Sequence, residues 1–146
     1  IQGGVTYTDT EIKDPVALAN PGLFAQNRKD NQMSFAPEWS ASLSVTFEQP
    51  IGSDLVWRTN VGAKYTSEYN TGSNLAPEKM QDAFTLVNAR TGIGAADDSW
   101  GIEIWAQNLT DEEYYQVVFD APLQTGSYNA FLGAPRTYGV TARFKF

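Results

Sequence analysis

The 146 residues carry 17 acidic and 10 basic side chains, a net charge of −7, and neither cysteine nor histidine. That excludes a disulfide framework, a thiolate metal site and the usual general base, and it sets aside nucleic acid, whose phosphates need clustered Lys and Arg. Aromatic residues make up 13% against a mean hydropathy of −0.36, too aromatic for a disordered chain and too polar for helical spans of ~20 apolar residues.

The chain opens on Ile1-Gln2-Gly3-Gly4-Val5, without Met, a basic region or an apolar signal core, and so reads as a piece of a longer chain. Residues 2–9 read as a first strand, with Val5 and Tyr7 on one face. A long loop is expected over 10–35, rich in turn formers (Pro15, Asn20-Pro21-Gly22) and mixed charges (Arg28, Lys29, Asp30), with at most one helical turn at 16–19. In residues 38–48, Trp39, Ala41, Leu43, Val45 and Phe47 alternate with polar residues without a break. A turn is expected over 49–54. A third strand, 55–65, continues the alternation, and the two form a hairpin.

A second long loop spans 67–81. The fourth strand, 84–94, is less regular; Val87, Ala89, Thr91 and Ile93 face away from Asn88, Arg90 and Gly92. After a short turn at 95–99, Trp100, Ile102, Ile104 and Ala106 define a fifth strand. A third loop, 108–134, leads to the last strand, 135–146, where Tyr138, Val140, Ala142, Phe144 and Phe146 share one side.

The connections thus alternate long, short, long, short, long. Outer-membrane barrels have that asymmetry, with short periplasmic turns and long external loops. Phe47, Trp57, Trp100, Phe144 and Phe146 gather at the short-turn ends, and Tyr7, Trp39, Tyr65 and Tyr138 at the long-loop ends, as two aromatic girdles would. The alternation also fits a soluble β-sandwich, whose apolar faces would close on each other.

Three stretches carry a resemblance. Asn108-Leu109-Thr110-Asp111-Glu112-Glu113-Tyr114-Tyr115 resembles the Asn-Leu-x-Asp-x-x-Tyr element near the end of TonB-dependent outer-membrane receptors. Gly133-Ala134-Pro135-Arg136-Thr137-Tyr138-Gly139-Val140 with a terminal Phe resembles their closing strand. Ala36-Pro37-Glu38-Trp39-Ser40-Ala41-Ser42-Leu43 is similar to an upstream strand. The resemblance implies that residues 1–146 are an all-β, antiparallel meander of six strands, the C-terminal part of a 22-stranded transmembrane barrel whose plug domain is not in this sequence. It implies location in the bacterial outer membrane and active import of a scarce nutrient. The usual cargo is an iron chelate such as a ferric siderophore. The implied partners are TonB, the plug, the lipid bilayer and the barrel assembly machinery, with no cofactor, metal or catalysis. Tyr138, Val140, Phe144 and Phe146 would belong to the assembly-directing final strand. A passive porin-type channel is the alternative within the same architecture.

Any ligand contacts belong to the long loops; in the third, Tyr114, Tyr115, Phe119, Tyr128 and Phe131 could stack on a flat chelator or a sugar, though packing of the loop itself is the favoured reading. Asp111-Glu112-Glu113 could hold a hard cation, but the spacing alone is a weak signal and a solvated loop start is the favoured reading. Arg58, Lys64, Arg90, Arg143, Lys145 and Glu103 point to the polar side, where mutual salt bridges are expected, with contact with the plug as the functional alternative. Asn108-Leu109-Thr110 matches a glycosylation sequon and is discounted as part of the receptor-like element.

Overall fold

Strict period two leaves each strand a two-faced ribbon, and such ribbons pair most simply with their chain neighbours. A computed structural model describes residues 1–12 and 32–146. The expected turn formers Pro15 and Asn20-Pro21-Gly22, the charges Arg28, Lys29 and Asp30, and the helical turn at 16–19 lie outside the described residues.

The main sheet contains β1 (Gln2–Tyr7), β2 (Trp39–Ile51), β3 (Leu55–Thr66), β6 (Phe84–Ala95), β7 (Trp100–Gln107) and β10 (Thr137–Phe144), in that spatial order. All pairings are antiparallel. Two small hairpins stand apart from it: β4 (Tyr69–Asn70) with β5 (Met80–Gln81), and β8 (Tyr115–Asp120) with β9 (Tyr128–Leu132). The second and third connections are therefore folded, not plain loops as their turn chemistry suggested. β1 ends at Tyr7 rather than residue 9. β2 runs through Gln49, Pro50 and Ile51, which the sequence placed in a turn. Pro50 pairs with Val56 next to the end of β2, where the missing N–H costs the ladder little. The remaining turn needs only Gly52, at φ +66°.

Register converts alternation into two continuous faces. One row runs Phe47, Thr59, Thr91, Ile104, Val140; the next runs Val45, Val61, Ala89, Ala106, Tyr138. The interleaved rows are polar: Thr46, Asn60, Arg90, Trp105, Gly139, and Glu48, Arg58, Gly92, Glu103, Thr141. At one end of the apolar face Tyr7 packs on Trp39, ring centroids 4.8 Å apart; at the other Phe47 meets Trp57 edge-on at 5.5 Å.

Nothing among the described residues closes over that apolar face. Trp39 is 48% exposed, Leu43 53%, Trp57 42%, Ile104 57% and Phe144 64%. Among the described residues the buried apolar ones are Ala76, Phe84, Ala95 and Val118, all in the loops or at the ends of β6. A soluble chain of this size buries roughly two thirds of its surface around a core, so the sandwich alternative fails. The face even satisfies its own polar atoms, as hydrocarbon contact demands. Thr59 and Thr91 share a hydroxyl hydrogen bond of 2.6 Å, and Trp57 Nε1 donates to Thr91 Oγ1 at 2.8 Å. Tyr138, Val140 and Phe144 lie exposed on this face of β10, and Phe146 lies exposed just beyond the strand.

Candidate functional site

The polar face is lined by hydroxyls, amides and charges. Asn60 Nδ2 bridges Ser44 and Thr46 across to β2 at 3.0 and 2.9 Å. Near the short turns Arg58 is clamped by Asp98 at 2.9 Å and Glu48 at 3.5 Å. Of the side chains expected to pair here, Arg58 does so among the described residues. Among the described residues Lys64, Arg90, Arg143, Lys145 and Glu103 make no ion pair within 4.0 Å. In the 95–99 turn, hydrogen bonds from Ser99 hold the Asp97 carboxyl below its usual range.

At the long-loop end, the Asn108 element acts as a latch. Asn108 has φ +49°, a left-handed conformation that Asn tolerates. Its Nδ2 donates to Glu112 O at 2.9 Å and Ala134 O at 3.0 Å, and its Oδ1 accepts from Glu112 N at 2.9 Å. Asp111 accepts from Arg136 N at 3.0 Å and pairs with its guanidinium at 3.4 Å. Tyr114 stacks on Phe84, centroids 4.7 Å apart, above Gly133. The element joins the end of β7 to the start of β10 and fixes the base of the third loop. The buried Asn108 amide is committed to these bonds, which accounts for discounting the sequon. Asp111 serves Arg136, and among the described residues no group of three potential metal ligands converges.

Above the latch two loops are bolted together. Lys79, at the end of a 3-10 turn (Pro77–Lys79), is 2% exposed. Its Nζ lies 2.8 Å from Asp120 Oδ2 and 5.6 Å from the Tyr128 ring centroid. Asn74 Nδ2 donates to the same carboxylate at 3.2 Å, and Tyr115 N donates to Gln81 Oε1 at 2.6 Å. A buried ammonium is tolerated only with such a partner. Desolvation, then Glu78 and Asp120, raises the Tyr128 phenol above its ordinary value; desolvation, then Tyr114, raises Tyr69.

The five loop aromatics fall into separate places. Phe119 and Phe131 meet at 5.7 Å on the exposed side of the β8–β9 hairpin. Tyr128 covers Lys79, Tyr115 sits exposed at the hairpin base, and one face of Tyr114 is occupied by Phe84. The Lys79–Asp120 pair went unforeseen. The hairpin itself had a signal: two apolar stretches flanking Ala121-Pro122-Leu123-Gln124-Thr125-Gly126.

An antiparallel sheet with one lipid-type face, one polar face and long connections at one end defines a transmembrane β-barrel wall of outer-membrane type. A family model described as "TonB dependent receptor-like, beta-barrel" matches residues 1–109. The chain belongs to that family, whose members are outer-membrane transporters and not enzymes. No solved structure matches the chain.

Proposed function

We propose that this chain is the C-terminal wall of a 22-stranded receptor barrel that imports an iron chelate, a ferric siderophore in class, with energy delivered through TonB. The plug domain lies in sequence outside these 146 residues, and the barrel assembly machinery inserts the wall by way of β10. The observation that carries this reading is the unbroken apolar face shared by all six main strands, which has no use in water. Family membership adds outer-membrane transport to it. The external loops make first contact with cargo, and Tyr115, Phe119, Tyr128 and Phe131 remain the aromatic candidates, with Tyr114 as their packed support.

The test is uptake of labelled ferric siderophores by cells carrying the complete protein, with and without TonB. TonB-dependent accumulation is expected. Equal, gradient-independent entry of small solutes would instead identify a passive channel.

A further inference from the structure

The apolar face is not evenly filled. A groove of about 480 Å³ crosses it from the middle of β6 to the long-loop ends of β7 and β10, within the roughly 300–1,000 Å³ typical of ligand clefts. Its floor is Ala89 and Ala106, which face each other in the register, and its sides are Thr91, Ile104, Val140 and Tyr138. The next row toward the short turns carries Trp57, Ile93 and Ile102 instead, so the depression ends there. The Thr91 hydroxyl is already bonded to Thr59 and Trp57, which leaves the lining to offer hydrocarbon contact. Tyr138 stands at the long-loop end, where an interfacial aromatic belongs. Two residues before it is Arg136. Its Nη2 lies 3.4 Å from an Asp111 carboxylate oxygen, and its side chain is 48% exposed. The rest of the guanidinium fork has N–H groups for a further oxyanion.

A hydrocarbon slot that ends at an aromatic and an arginine matches the chemistry of a lipid with an acidic head group. A free anion fits less well. Asp111, Glu112 and Glu113 belong to the same rim, and nothing would hold a free anion against their field, whereas an acyl chain in the groove would. The same carboxylates argue against a second copy of the chain, since a two-fold contact would press them together. Two apolar walls also gain no hydrophobic driving force by meeting in lipid. We propose that the groove seats one acyl chain of an anionic lipid of the outer leaflet, with Arg136 on the acid of its head group. The inference needs the wall to span the membrane with its long loops outside, and it is independent of which cargo is carried.

The experiment is native mass spectrometry of the complete protein in detergent micelles, with heat-modifiable gel migration to verify that each variant is folded. The probes are dimyristoyl phosphatidylglycerol and dimyristoyl phosphatidylcholine, which share their chains and differ in head-group charge. Wild-type protein should retain the phosphatidylglycerol several-fold better. Ala89→Leu/Ala106→Leu fills the floor of the groove and should weaken retention of both lipids roughly tenfold. Arg136→Gln should erase the preference between them and leave phosphatidylcholine binding unchanged, and Arg136→Lys should keep most of the preference. Ala142→Leu, on the same face beside Ile102 and outside the groove, should change nothing. Unchanged retention in the double variant, an equal loss in Ala142→Leu, or displacement of phosphatidylglycerol by inorganic phosphate overturns the lipid seat. So does a wild-type dimer that the double variant converts to monomer, which would assign the groove to a second copy. Wild-type protein that stays monodisperse without detergent would remove the membrane reading itself, a different failure.

Discussion

Replacing Val45 by arginine is the sharpest perturbation of the two-faced wall. Val45 lies midway along β2, in the apolar row with Val61 and Ala89. The thirteen residues of β2, at about 3.3 Å each and tilted by about 45°, span roughly 30 Å along the bilayer normal. Val45 is therefore near the midplane, where an arginine on the lipid side costs about 2–4 kcal/mol. That is roughly a 30- to 1,000-fold loss in the folding equilibrium. Ser44 is the neighbouring control. It is half-buried on the polar face, opposite Gly62 and bonded to Asn60; arginine there reaches water and should cost under about 1 kcal/mol. Both variants are made in the complete receptor and folded into lipid vesicles across a urea series. Equal midpoints for Val45→Arg and Ser44→Arg would refute the assignment of faces.

Asn108→Ala removes three hydrogen bonds and puts alanine at positive φ; a loss of about 3 kcal/mol is expected in the same assay, and under about 1 kcal/mol would deny the latch. Thr91→Val strands the Trp57 indole N–H on the lipid face and should cost about 1–2 kcal/mol; a neutral result would mean that water reaches Trp57. The raised phenol of Tyr128 favours the loop cluster at neutral pH, and that contribution is lost as pH rises past the ordinary tyrosine value and through the folded one. Phenolate absorbance should contain a late-titrating component that Tyr128→Phe removes, and an unaltered titration would contradict it.

The main sheet was legible because alternation is a local property: Trp39 to Phe47 announces its own two faces without knowledge of any partner. Turn composition misled at Pro50, which pairs with Val56 of β3 although it brings no N–H to the ladder. The β8–β9 hairpin was hidden under length, since a 27-residue connection between Asn108 and Ala134 reads as loop until its two halves are paired. Lys79 could not be foreseen at all. Its burial depends on Asp120, 41 positions away, and on Gly72 making room for its stem. The Asn-Leu-x-Asp-x-x-Tyr element is recognisable by resemblance, but its physical role depends on partners distant in sequence, as Asn108, Asp111 and Tyr114 each hold a different strand end.

The central claim is tested most directly by site-directed spin labelling along β2. The chain has no cysteine, so single cysteines at positions 41–47 label cleanly in the complete protein in lipid vesicles. Collision with oxygen, which dissolves in the bilayer, should peak at 41, 43, 45 and 47, and collision with a water-soluble nickel chelate at 42, 44 and 46. Accessibility without that two-residue alternation, or chelate access highest at 43 and 45, would contradict the account.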